Sequence, residues 1–174
     1  MIPHRKPNRL PNYNYSKPWW YFVTICTHNK FCWFGDINNG KIELNQLGEI
    51  VKQQLEWLAN QYKYVSLDEW VIMPNHVHVI LIINPKQKMY PFVGTGRDLS
   101  LQVKIKSLSE IIGAFKTTSS KFIHINDCTE FRWQRSFYDH IIRNEISCNK
   151  IREYIQNNPM RWEFDKNSED QIEL

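Results

Sequence analysis

The chain has 174 residues, of which 42% are hydrophobic and 14% aromatic, enough for one compact domain without disulfide or metal staples. No run of 18 apolar residues occurs, and Met1-Ile-Pro-His-Arg-Lys-Pro lacks an apolar leader. The sequence therefore reads as cytoplasmic, with no membrane span and no secretion signal. The 22 Lys and Arg against 18 Asp and Glu give +4, which only weakly suggests a polyanionic partner.

The distribution of charge says more than the sum. Residues 1–35 hold the bases Arg5, Lys6, Arg9, Lys17 and Lys30 and no acid. Residues 163–174 hold Glu163, Asp165, Glu169, Asp170 and Glu173 against Lys166 alone. The chain divides into a proline-rich basic arm (1–18), a domain (19–162) and an acidic, frayed tail (163–174). The cysteines at 26, 32, 128 and 148 form no Cys-x-x-Cys pair and read as reduced thiols.

In chain order, aromatic and β-branched residues predict a strand over 19–28. Asn38-Asn39-Gly40 signals a turn between short extended pieces. Leu47, Val51, Leu55 and Leu58 recur at helical spacing, predicting a helix over 46–61. Two strands, 64–73 and 76–83, flank Pro74-Asn75, because proline cannot donate to a sheet ladder. Residues 84–106 lack periodicity and receive no role. Ser107-Leu-Ser-Glu110 is a capping box opening a helix whose apolar face is Leu108, Ile111, Ile112, Phe115 and Phe122. Phe131–Phe137 reads as the last strand. A final helix starts near Glu145 and is expected to stop before Pro159. The order predicts an α+β fold, a ferredoxin-like antiparallel sheet with helices on one face and a C-terminal helix.

Three features carry candidate chemistry. His76-Val77-His78 puts two imidazoles on one side of an otherwise apolar strand, where they could bind a divalent ion. The plainer reading is a pair of surface histidines. Tyr154 and Asn158 are four apart on the last helix and share a face. From spacing alone, Tyr154 reads as core and Asn158 as a helix cap. Bases and aromatics are spread widely, including Arg5, Arg9, Tyr13, Tyr15, Lys116, Arg132, Arg135 and Arg143. Basic residues contact phosphates and aromatics stack on unpaired bases, although a solvated basic face with core aromatics is the better reading for most individual members.

The segment Met73-Pro-Asn-His76-Val-His78-Val-Ile resembles the His-hydrophobic-His signature of HUH nucleases, and more narrowly of single-tyrosine, insertion-sequence-type transposases. Four further segments resemble one branch, the REP-associated tyrosine transposases. They are Arg9-Leu-Pro-Asn-Tyr-Asn-Tyr15-Ser, Tyr21-Phe-Val-Thr-Ile-Cys-Thr27, Phe137-Tyr-Asp-His-Ile-Ile-Arg143-Asn-Glu and Tyr154-Ile-Gln-Asn-Asn158-Pro. The ordered set spans Arg5 to Trp162. The resemblance implies that His76, His78 and Asn158 hold Mg²⁺ or Mn²⁺ and that Tyr154 is the nucleophile, on a C-terminal catalytic helix. Tyr138 is the rival nucleophile, ranked lower because its +4 position is Ile142. The implied substrate is single-stranded DNA beside a REP-like hairpin, contacted by Arg5, Arg9, Tyr13 and Tyr15 of the arm. The implied setting is a cytoplasmic, nucleoid-associated monomer or homodimer. Two other readings stay open: a domesticated protein that binds hairpins without cutting them, and a zinc hydrolase built on the histidine pair.

Overall fold

The structure is a computed structural model and describes Tyr15, residues 18–84 and residues 105–165. Its elements in order are β1 (Trp19–Cys26), β2 (Gly35–Asn38), β3 (Lys41–Leu44), α1 (Gln46–Gln61), β4 (Val65–Met73), β5 (His76–Ile83), α2 (Leu108–Ile125), β6 (Tyr138–Ile142) and α3 (Glu145–Asp165). Four strands form an antiparallel sheet in the order β4-β5-β1-β6, while β2 and β3 make a separate hairpin. That hairpin turns at Asn39 and Gly40, both with positive φ, as a tight two-residue turn requires.

Alternation along β1 and β5 sorts the side chains into two layers. Tyr21, Val23, Ile25, Val77, Val79, Leu81 and Ile83 face α1 and α2, where Val51, Leu55, Leu58, Ile111, Ile112 and Phe115 complete the main core. Phe22 and Ile80 face the other way, against Cys148 and Ile155 of α3. The sheet is therefore covered on both sides, by α1 and α2 on one and α3 on the other.

A bulge in β4 sets how α3 sits. Leu67 pairs with Leu81 and Trp70 with Val79, so β4 uses one residue more than β5 between these pairs. Asp68 and Glu69 consequently both reach α3. Arg152 clasps Asp68 through Nε (2.7 Å) and Nη2 (3.1 Å). One turn on, Gln156 donates to Glu69 (3.1 Å).

Two sequence expectations need correction. The last strand is 138–142, not 131–137. Phe131 is instead a fully buried plug packed against Phe34 and Trp133, and Trp133 makes only an isolated bridge to Thr27. The final helix does not stop before Pro159 but continues to Asp165, three residues into the segment read as tail. Proline there leaves the Ile155 carbonyl without its usual i+4 donor, a local cost set against the packing of a longer helix.

The capping box of α2 forms as expected. Ser107 Oγ accepts from the Glu110 backbone N–H (3.4 Å), and Glu110 Oε2 accepts from the Ser107 N–H (2.7 Å). Replacing Ser107 by Ala is expected to lower stability by about 1 kcal/mol, measured as a shift in urea midpoint at unchanged slope.

Candidate active site

The tight β4–β5 connection is clamped from below. The Pro74 carbonyl accepts from the N–H groups of Trp33 (2.8 Å) and Phe34 (3.0 Å), and the Asn75 carbonyl accepts from Thr27 (2.9 Å). Asn75 Nδ2 donates to the Lys30 carbonyl (3.0 Å), so its Oδ1 is aimed at His76 Nδ1, 2.6 Å away. His76 Nδ1 thus carries the hydrogen, leaving its Nε2 as a lone pair.

His78 lies across from Thr24 in the β1–β5 register. Its Nδ1 is 2.8 Å from Thr24 Oγ1, a hydroxyl that can donate or accept and so serves either tautomer. The two Nε2 atoms lie 3.0 Å apart. Phe22 stacks on the His78 ring at 5.3 Å and meets Tyr154 edge-on at 6.0 Å. The Tyr154 hydroxyl reaches to 3.4 Å from His78 Nε2. Asn158 is buried and hydrogen-bonds His76, and Trp162 packs against the His76 ring at 5.8 Å.

Burial makes both imidazoles neutral at physiological pH. It pushes His76 down to about 4; the hydrogen bond with Asn158, which favours the protonated ring, opposes this and the Lys30 charge reinforces it. Burial, and then the neighbouring His76, hold His78 well below the ordinary range. Two imidazole lone pairs and one amide oxygen form an uncharged donor set that accepts a divalent ion without prior deprotonation. A separation of 3.0 Å suits two adjacent ligands each about 2.1 Å from one ion. Among the described residues, no group of three or more His, Cys, Asp or Glu side chains could hold a metal.

The structure thus brings together His76, His78, Tyr154 and Asn158, from one strand and one helix. Tyr138 stands on the edge strand opposite Thr24, 54% exposed, while the Tyr154 hydroxyl is the one held on the histidine pair. Arg135 and Arg143 are exposed. Arg5, Arg9 and Tyr13 lie outside the described residues. Three expected DNA contacts have other duties. The Tyr15 ring is buried against Tyr21 at 6.0 Å, and its carbonyl accepts from the Leu108 N–H. The Lys116 ammonium donates to the carbonyls of Gln134 (2.8 Å), Arg135 (3.4 Å) and Ser136 (3.1 Å). The Arg132 guanidinium is turned onto the Phe131 and Thr129 carbonyls. Sequence reasoning missed Thr24, Asn75, Phe22 and Trp162. Only Asn75, adjoining the first histidine, carries a local signal.

An antiparallel sheet with a histidine pair on an inner strand, faced by a tyrosine and an amide from a C-terminal helix, is the α+β arrangement that the resemblance to HUH nucleases implies. Residues 38–158 match the family described as IS200-like transposases, and the chain belongs to that family. It is 40% identical over 168 residues to an uncharacterized protein of Haemophilus influenzae, covering 95% of this chain and 93% of the relative. The fold is similar to that of a REP-associated tyrosine transposase solved bound to a REP hairpin, with a TM-score of 0.57 and 17% identity over 88% of this chain and 73% of the other. Family membership makes the protein a transposase-type DNA-processing protein.

The histidine shift has a thermodynamic consequence. Between the unfolded value near 6.5 and the folded value of about 4, the unfolded chain binds more protons, so stability must fall as pH drops through that window. Urea unfolding at pH 7.5 and pH 4.5 should differ by about 3 kcal/mol from His76 alone, and the difference should shrink in His76→Gln.

Proposed function

We propose that the protein is a metal-dependent single-stranded DNA endonuclease and transposase that cuts and rejoins DNA near REP-like hairpins through a 5′-phosphotyrosine on Tyr154. The observation that carries this reading is the 3.4 Å approach of the Tyr154 hydroxyl to His78 Nε2, beside the His76–Asn158 contact. Nucleophile and candidate ligands therefore meet at one point. Mg²⁺ or Mn²⁺ would be held by His76, His78 and Asn158, where a divalent ion polarises a phosphate oxygen and offsets its charge.

The chain's own residues supply the rest. Phe22 and His78 fix the Tyr154 ring by edge contacts, limiting the directions its oxygen can take. Asn75 and Thr24 orient the two imidazoles through the nitrogens turned away from the phosphate. The phenol oxygen bonds to phosphorus as the bond to the DNA 3′-oxygen breaks. The phenol gives up a proton and the departing 3′-oxygen takes one. The tyrosine phenolate is a good leaving group from the phosphotyrosine, so a 3′-hydroxyl can attack the phosphorus, return the proton to the phenol and reverse the step, and strand joining needs no ATP. The REP hairpin as substrate is supported by the branch-like motifs and by the fold shared with the hairpin-bound transposase. Activity on chromosomal DNA would place the protein at the nucleoid, as monomer or homodimer. No helix among the described residues is long and apolar enough to cross a membrane.

Incubation with hairpin-bearing single-stranded DNA and Mg²⁺ or Mn²⁺ should give a covalent protein–DNA adduct on a denaturing gel. Tyr154→Phe should abolish it, chelation should prevent it, and His76→Ala or His78→Ala should slow it about 100-fold. An adduct that survives Tyr154→Phe and disappears in Tyr138→Phe would move the nucleophile to the rival tyrosine. Tight hairpin binding with no adduct under either ion would favour the non-cutting, domesticated reading.

A further inference from the structure

A second cavity lies on the same face of the sheet as the histidines, at the opposite end of β1 and β5. It has a volume of about 630 Å³ and is lined by Trp19, Trp20, Ile82, Ile142 and the charged Arg143 and Arg152, among others. The register places Trp20 and Ile82 together, four strand residues from Thr24 and His78, or roughly 13 Å.

The aromatic walls are held in place yet open. The Trp19 indole N–H donates to the Ile142 carbonyl (2.7 Å), and the Arg152 guanidinium lies 5.7 Å from the Trp20 ring centre. Arg152 is itself fixed by Asp68. Despite these restraints, Trp19 is 43% and Trp20 37% exposed. Large indole faces left open and immobilised are costly in water and suited to stacking.

The edge strand β6 connects this cavity with the Tyr154 site. Tyr138, His140 and Ile142 of β6 pair with Thr24, Phe22 and Trp20 and share their face of the sheet. Arg152 and Gln156 tie α3 to β4, at the far edge, and on β6 Tyr138 and His140 are exposed. This edge runs tyrosine, histidine, then the tryptophan cavity with Arg143 at its rim. That is the composition of a groove for unpaired nucleic acid, with aromatic platforms for bases and cations for the backbone.

We infer that the Trp19–Trp20 cavity is a stacking subsite for an unpaired base of single-stranded DNA, a few nucleotides from the phosphate held at Tyr154, with Arg143 on the adjoining backbone. The inference rests on the proposed cutting of single-stranded DNA and adds a second contact that sets how the strand is threaded. It calls for little sequence preference at the subsite, because every base has a stacking face.

The test uses the full chain as Tyr154→Phe, which cannot form the adduct, with a short thymidine oligomer carrying 5-iodouracil. Irradiation should crosslink the oligomer to Trp19 or Trp20, as mapped by mass spectrometry. Trp19→Leu should weaken binding of the same oligomer about tenfold in fluorescence anisotropy. Arg143→Gln, at an exposed position that spares the core, should weaken it several-fold and reduce the salt dependence. Crosslinks confined to other residues, with affinity unchanged in both folded variants, would overturn the subsite. The adduct assay on the Tyr154-containing protein is read separately. An adduct without crosslinks at the tryptophans rejects the subsite alone, and crosslinks without an adduct reject the cleavage reading alone.

Discussion

The candidate site depends on the parity of one strand. In β5 the even positions 76, 78, 80 and 82 face α3, while the odd positions 77 to 83 face the main core. A slip of one residue would drive both imidazoles into the layer filled by Val51, Leu55 and Phe115 and turn four buried aliphatics outward. The large core against α1 and α2 therefore does more than stabilise the sheet. By fixing the register of β5 on β1, it forces His78 opposite Thr24 and keeps both histidines under α3.

Two imidazoles on an apolar strand need compensation, because each carries two polar nitrogens into a poorly solvated place. The structure supplies a separate partner for each inner nitrogen, Asn75 for His76 and Thr24 for His78. The outer nitrogens are left facing one another, 3.0 Å apart. The same burial that makes protonation costly keeps both rings neutral, so the desolvation that weakens the fold at low pH also holds the pair uncharged at neutral pH.

What was legible in the sequence follows from the range of the forces involved. The helix over 46–61, the capped start of α2 and the β4–β5 turn rest on periodicity, a local hydrogen-bond pair and the missing N–H of proline, all visible within a few residues. Strand β6 was misplaced because the aromatic run Phe131–Phe137 resembles a strand, although Phe131 and Trp133 are plugs in a core assembled from distant segments. Asn158 had the spacing of a helix cap. Instead it lies within α3, buried and hydrogen-bonded to His76, because the helix continues through Pro159, which tertiary packing permits and local rules disfavour. Lys116, Arg132 and Tyr15 carry the charge or ring of a DNA contact, but backbone carbonyls and the core engage them first, and no single-sequence signal separates those two fates.

The placement of Tyr154 follows from how weakly apolar contact alone fixes α3. Among the described residues, the buried cluster between α3 and the sheet is small: Phe22, Ile80 and Ile142 from the strands, Cys148 and Ile155 from the helix. Such a small patch resists separation of helix and sheet better than it resists sliding, since aliphatic contacts are not directional. Direction comes from the polar ties at consecutive turns: Arg152 on Asp68, Gln156 on Glu69 and Asn158 on His76. The first two exist because the β4 bulge turns adjacent carboxylates toward the same helix. Tyr154 lies between these ties, so its hydroxyl is set over His78 by a register of hydrogen bonds. The bulge, distant in sequence from both histidines and tyrosine, is thereby a determinant of how Tyr154 meets the histidine pair.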